Sequence, residues 1–161
     1  MIMNTKEIEQ LKKEGFCGFK TVAELRENIN VVPDYNGVYV LLRPNDDRPI
    51  FLEKGTGGSY KGKNPNVTIS KLKMKWIDNS SIVYIGATER SLKMRLGEYM
   101  RFGQGDTVAH WGGRYIWQLG NAAELVVCWK QVNGNAEQVE KQMIKAFKIE
   151  HGKYPFANLR L

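Results

Sequence analysis

Apolar residues recur along this chain in two rhythms, one of period two and one near 3.6, and their alternation divides it into strands and helices. Residues 5–14 and 21–29 carry the helical rhythm, the second opened by Thr21 and Glu24, which are spaced as a capping box. Gly37–Leu42 is apolar and β-branched. It lies between Pro33-Asp34-Tyr35-Asn36 and Pro44-Asn45-Asp46-Asp47, which reads as a strand held between turns. A short strand is expected at 50–52 and a longer one at 81–85. About thirty residues separate the longer one from the preceding turn, more than a hairpin needs, so the region reads as an insertion. Helices are expected at 91–102 and 107–119, separated by Gly103-Gln104-Gly105-Asp106. A strand at 124–130 leads to a last helix at 135–150, opened by Asn135 with Gln138 and closed by Gly152. The class is α/β, a small mixed sheet flanked by helices, with an N-terminal helical extension over 1–34 and a main unit over 35–161. At 161 residues one such domain buries about two-thirds of its unfolded surface.

Charge sharpens this picture. The 24 Lys and Arg exceed the 17 Asp and Glu by a net +7, which favours a polyanionic partner, although solvated helix faces give the same balance. Much of the excess lies in the insertion at 54–77, where Lys54, Lys61, Lys63, Lys71, Lys73 and Lys75 occur with no Asp or Glu, and Tyr60 and Trp76 interleave them. Lysines neutralise phosphates without reading sequence, and aromatic faces stack on unpaired bases, so a phosphate-tracking arm is one reading. The other is a solvated loop whose Trp76 belongs to the core. The arm's glycines lack the Gly-Lys-Ser/Thr spacing of a nucleotide-binding loop. Cys17, Cys128 and the two histidines are too scattered for a closed zinc site, and the cysteines read as reduced and buried, or simply tolerated. No apolar run approaches the ~20 residues of a membrane span, so a soluble, cytoplasmic protein with no membrane partner is expected.

Two charges interrupt apolar helix faces. In the last helix Ala136, Val139, Met143, Ile144 and Phe147 form the stripe, and Glu140 lies in the row between Ala136 and Ile144. A carboxylate there needs a metal, an arginine or a wet cleft, because unpaired burial costs several kcal/mol. In the 91–102 helix, Arg95 and Tyr99 share a face with Leu92 and Leu96. A structural ion pair between Arg95 and Glu140 is the simplest account of both.

The order of short motifs offers another account. Gly37-Val38-Tyr39 and Tyr84-Ile85-Gly86 are followed by Ser91-Leu92-Lys93-Met94-Arg95-Leu96, then Glu140, then Pro155-Phe156-Ala157-Asn158. Together they resemble the GIY-YIG nuclease family over residues 35–161. The resemblance implies a metal-dependent DNA endonuclease that hydrolyses phosphodiesters with an activated water and uses Mg²⁺ or Mn²⁺, with double-stranded DNA as the expected substrate. It assigns Glu140 as the metal-binding carboxylate, Arg95 as the phosphate-binding arginine and Tyr99 to the position one turn later. Tyr39 would orient or deprotonate the attacking water, with Tyr84 the competing candidate. Gly86 would let backbone approach the site, and Asn158 would brace its far side. Chemistry favours these types: a hard cation keeps its waters and binds phosphate with few protein ligands, and a guanidinium grips phosphate bidentately. Ala87 departs from the pattern, since several relatives carry a basic residue there. A lysine of the arm or His110 would then substitute. His110 and Arg114, one turn apart beside Gly112 and Gly113, are candidate nucleic-acid contacts with Lys61, Lys63, Lys71, Lys73 and Lys75. One centre cuts one strand, so a double-strand break requires a homodimer or successive nicks. The rival readings are a nucleic-acid-binding module of the same fold that has lost cutting, and a protein-interaction domain whose charge is solubilising.

Overall fold

The computed structural model describes residues 5–107 and 111–159. Helices α1 (Thr5–Lys13), α2 (Val22–Glu27), α3 (Ile69–Lys75), α4 (Leu92–Phe102) and α5 (Ala136–His151) accompany strands β1 (Cys17–Thr21), β2 (Gly37–Leu42), β3 (Ile82–Thr88) and β4 (Val126–Gln131). The strands form one sheet in the order β1-β4-β2-β3. Every bonded pair is antiparallel, so the expected mixed sheet is corrected. The reason lies in the connection through α4: β3 and β4 run the same way but flank β2, so they never pair with each other.

All six residues of β2 are buried, because both faces of the sheet are covered. Tyr39, Leu41, Tyr84, Val127 and Trp129 pack with Leu25 of α2, Leu72 of α3 and Leu96 of α4. Val38, Val40, Leu42, Ile85 and Cys128 pack with Leu11 of α1 and Ile144 of α5. Each such aliphatic side chain contributes about 1.5–3 kcal/mol when fully buried.

Several elements follow from local chemistry as expected. The Thr21 and Glu24 capping box is formed in both directions, with bonds of 3.0 and 3.1 Å. Ser91 caps α4 and Asn135 caps α5, which ends on Gly152 at φ +81°. Others differ. The 1–34 segment expected to be helical contains the edge strand β1, whose Gly18 and Phe19 take positive φ at a bulge and so break the alternation that marks strands. The expected 21–29 helix stops at Glu27, where Asn28 caps a separate 3-10 turn. At 50–52 there is only an isolated bridge, Phe51 to Leu119. The insertion contains α3, capped by Thr68 and anchored by the single buried residue Leu72. The expected 107–119 helix is instead a 3-10 turn over Arg114–Gln118, while residues 108–110 lie outside the described chain. Cys17 is exposed rather than buried. Among the described residues no helix is long and apolar enough to cross a membrane.

Candidate functional site

Register builds the centre of the site. Tyr39 lies opposite Gly86 and Leu41 opposite Tyr84, so the two phenols share one face of the sheet on a diagonal, with ring centroids 6.1 Å apart. A Cβ at position 86 would come within 2.4 Å of Tyr39 Cζ. Gly86 therefore makes room for the Tyr39 ring. The aromatic cluster continues from Tyr84 to Tyr99 at 5.6 Å and from Tyr99 to Trp117 at 5.1 Å. The Tyr99 hydroxyl donates to the Gly113 carbonyl at 2.7 Å, which gives Tyr99 a bracing role. A side chain at Gly113 would meet Tyr99 Oη at 2.6 Å and Tyr84 Cζ at 2.9 Å, so glycine is what allows the 111–114 turn to lie on the rings.

Arg95 comes from α4, whose first turn is fixed from outside the helix. The Ser91 hydroxyl accepts from Met94 N at 3.1 Å and donates to Asp34, while Leu92 N and Lys93 N donate to the carbonyls of Tyr35 and Pro33. Leu92, Leu96 and Tyr99 are fully buried, and Arg95 on the same face is half-buried. Its guanidinium hydrogen-bonds the Tyr39 hydroxyl, which also bonds Tyr84.

Glu140 approaches from α5, which packs on the opposite face of the sheet. The start of α5 is secured by Asn135, which accepts from Gln138 N at 3.0 Å, and by Glu89, which accepts from Glu137 N at 2.8 Å. A carboxylate at a helix N-terminus also favours the dipole. The half-buried Glu140 carboxyl is near enough to Tyr39, Tyr84 and Arg95 to perturb or be perturbed by each. Burial, with help from Glu137, pushes it up to about 7, against the opposite pull of Lys141 and Arg95. A carboxylate locked to a guanidinium in a dry pair would sit below its usual range. The upward displacement makes desolvation the dominant influence and weighs against a structural ion pair with Arg95.

Burial also raises the phenols. Tyr39 is pushed up to about 12 despite Arg95, and Tyr84 and Tyr99 lie well above 10 for the same first cause. At neutral pH all three are neutral, so they orient through hydrogen bonds. Asn158 is also fully committed: its Nδ2 donates to Ile85 O at 2.8 Å and its Oδ1 accepts from Ile85 N at 3.0 Å. Both amide atoms complete the edge of β3 as a further strand would, so Asn158 positions the strand that carries Tyr84 and Gly86.

The lysines, Arg114 and His110 expected to contact nucleic acid divide into four groups. Lys61 and Lys63 are exposed around Gly62 at the tip of the insertion, and Lys71 and Lys73 are exposed on α3. Tyr60 packs on Trp111 at 6.1 Å and the Arg114 guanidinium lies 4.4 Å from the Trp111 ring, which docks the tip beside the turn that touches Tyr84 and Tyr99. Lys75 is half-buried and donates to the Asn158 carbonyl at 2.8 Å, so its ammonium is engaged within the fold. His110 lies outside the described residues. Glu89, Asp34 and Gly113 position the site and were not singled out from sequence as site residues. Only the Gly112-Gly113 pair gave a signal of close approach.

Among the described residues no three His, Cys, Asp or Glu gather into a metal cage. Glu140 is a lone half-buried carboxyl made reluctant to ionise by desolvation, so a positive charge brought beside it, such as a hard cation that keeps most of its waters, would stabilise its charged form. No model of a known protein family matches the chain, and neither a curated protein nor a solved structure matches it.

Proposed function

We propose that this protein is a metal-dependent endonuclease that hydrolyses DNA phosphodiesters one strand at a time. What supports the proposal is that Arg95 of α4 and Glu140 of α5 both act electrostatically on the buried Tyr39 phenol of β2, Arg95 also hydrogen-bonding it, while burial displaces the Glu140 carboxyl to about 7. Strongly perturbed titratable groups cluster at functional sites. The motif resemblance to GIY-YIG nucleases supplies the reaction.

In this reading Arg95 holds the non-bridging oxygens of the scissile phosphate and stabilises the charge that grows on them. Tyr39, neutral at working pH, orients the attacking water through its hydroxyl, and Tyr84 fixes the angle of that hydroxyl. Glu140 holds Mg²⁺ or Mn²⁺, which when bound supplies positive charge to the phosphate and the leaving oxygen. Water oxygen bonds to phosphorus as the bond to the leaving oxygen breaks; the proton lost by the attacking water passes to solvent, and the departing oxygen takes one from solvent. The exposed Lys61, Lys63, Lys71 and Lys73 together with Arg114 add affinity that carries no sequence information. Because one centre handles one strand, duplex cleavage uses two copies of the chain or two successive nicks.

Nicking of supercoiled plasmid with Mg²⁺ tests the proposal. Wild type is expected to produce open circles before linear DNA, and Glu140→Ala to bind plasmid without nicking it. Binding by wild type with no metal-dependent nicking would establish the inactive binding module in its place.

A further inference from the structure

We propose that α3 is a DNA-reading helix: it enters the major groove of a duplex with Met74 against the C5-methyl group of a thymine, while Lys71 and Lys73 meet phosphates on either side. This rests on the chain binding duplex DNA, as proposed above, and adds a sequence preference. At 3.6 residues per turn, Ser70 and Met74 lie on the side of α3 opposite Leu72, its single buried residue, with Lys71 on one flank and Lys73 on the other. Met74 is 75% exposed, an apolar side chain left out of the core at the crest of the helix. Ser70, Lys71 and Lys73 are exposed beside it. A single exposed hydrophobic residue needs no explanation by itself. This one stands between two cations in a segment, 54–77, that contains six lysines and no Asp or Glu.

A helix of seven residues is about 10 Å long and would not persist in water unaided. α3 is fastened at both ends. Before it, the buried Gln118 accepts from Val67 N and donates to Val67 O, each at 2.9 Å. At its far end Lys153 Nζ donates to Met74 O at 2.9 Å, Lys75 Nζ donates to Asn158 O at 2.8 Å, and Trp76 packs edge-on against Phe51 and Phe156. Leu72 joins the cluster that contains Tyr39 and Tyr84, so the crest is fixed relative to the phenols. Charge selects the occupant: two cations with no acid near them in sequence repel the same face of a second copy and attract a polyanion. The major groove, about 12 Å wide, admits an α-helix and presents the thymine methyl as an apolar contact. Lysines hold phosphates without reading bases, so discrimination falls to Met74, with the Ser70 hydroxyl able to bond a neighbouring base edge.

Gel-shift selection by the full chain from a randomised duplex pool, run in chelator, tests the assignment. Wild type is expected to enrich sites with a fixed thymine. Met74→Ala, a change at an exposed position that leaves the core untouched, is expected to lose that thymine while holding unselected duplex as tightly as wild type. In the selected duplex, deoxyuridine in place of the thymine removes only the methyl, and is expected to weaken wild type roughly fourfold and Met74→Ala not at all. Lys71→Gln combined with Lys73→Gln is expected to weaken selected and random duplex alike and to flatten the salt dependence. A pool that stays random with wild type, a thymine preference that survives Met74→Ala, or equal binding of thymine and deoxyuridine duplexes by wild type overturns the assignment. With no metal present, these outcomes are separate from cutting. A selected thymine without Mg²⁺-dependent nicking removes the endonuclease and keeps the reading helix, and nicking with a random pool does the reverse.

Discussion

Replacing Glu140 with Gln keeps the size of the side chain and removes only its capacity to ionise, so the variant isolates what a charge costs in this cleft. The folded carboxyl titrates near 7 against a usual 4.5, with burial as the first cause. At about 1.4 kcal/mol per pH unit the ceiling is roughly 3 kcal/mol, and solvent reaching a half-buried group reduces this to about 1–2 kcal/mol. The direction is fixed by proton counting. Below pH 4.5 both folded and unfolded chains hold the proton. Between 4.5 and 7 the unfolded chain releases it while the folded chain keeps it, so wild type loses stability as pH rises, and the loss levels off above 7. Urea unfolding of both proteins at pH 4, 5.5 and 8, in chelator, reads the difference directly. Glu140→Gln is expected to match wild type at pH 4 and to exceed it by about 1–2 kcal/mol at pH 8, while losing cleavage. Such a trade of stability for function is typical of active sites. If the variant were instead less stable than wild type at pH 8, the carboxylate would be favourably paired in the apo fold, and the reasoning that reserves it for a metal would be refuted.

Four further outcomes follow from the same geometry. The nicking rate at limiting Mg²⁺ is expected to fall about tenfold per pH unit below 7, because metal competes with the proton on Glu140; a flat profile from pH 5.5 to 8 contradicts this. Gly86→Ala drives a methyl into the Tyr39 ring, and is expected to cost at least about 1–3 kcal/mol in urea melts and to lower activity with it. Asn158→Ala leaves Ile85 N and O unpaired at the edge of β3, an expected loss of about 2–4 kcal/mol, with residual cleavage that tracks the folded fraction. Arg95→Lys keeps the charge but not the bidentate fork, so single-turnover cleavage is expected to fall by about 10² or more, with DNA binding little changed.

The parts of the fold that rest on local chemistry are legible in the sequence. Thr21 with Glu24, Ser91, Asn135 and Gly152 announce helix ends because caps act within a few residues, and Glu140 and Arg95 betray themselves by interrupting apolar stripes. The parts that rest on pairing at a distance were not legible. β1 carries a bulge and a positive φ at Phe19, so its alternation is broken and only its partner β4 makes it a strand. The antiparallel sheet follows from where β4 docks, which no local pattern encodes. At the site, the sequence supplied residue types but not their uses. Gly86 is explained by the ring of Tyr39 across the strand pair, Asn158 by two backbone atoms of Ile85, and Lys75 by the Asn158 carbonyl, all contacts between segments far apart in the chain.

Single-turnover cleavage of an end-labelled duplex, with wild type and Glu140→Gln run side by side across a Mg²⁺ titration, decides whether Tyr39, Arg95 and Glu140 act as one phosphodiester-cutting centre. Cleavage is expected to saturate with Mg²⁺ in wild type and to fall by at least about 10³ in the variant, with equal DNA retention before metal is added. Cleavage that persists in Glu140→Gln, or that proceeds unchanged in chelator, would rule such a centre out.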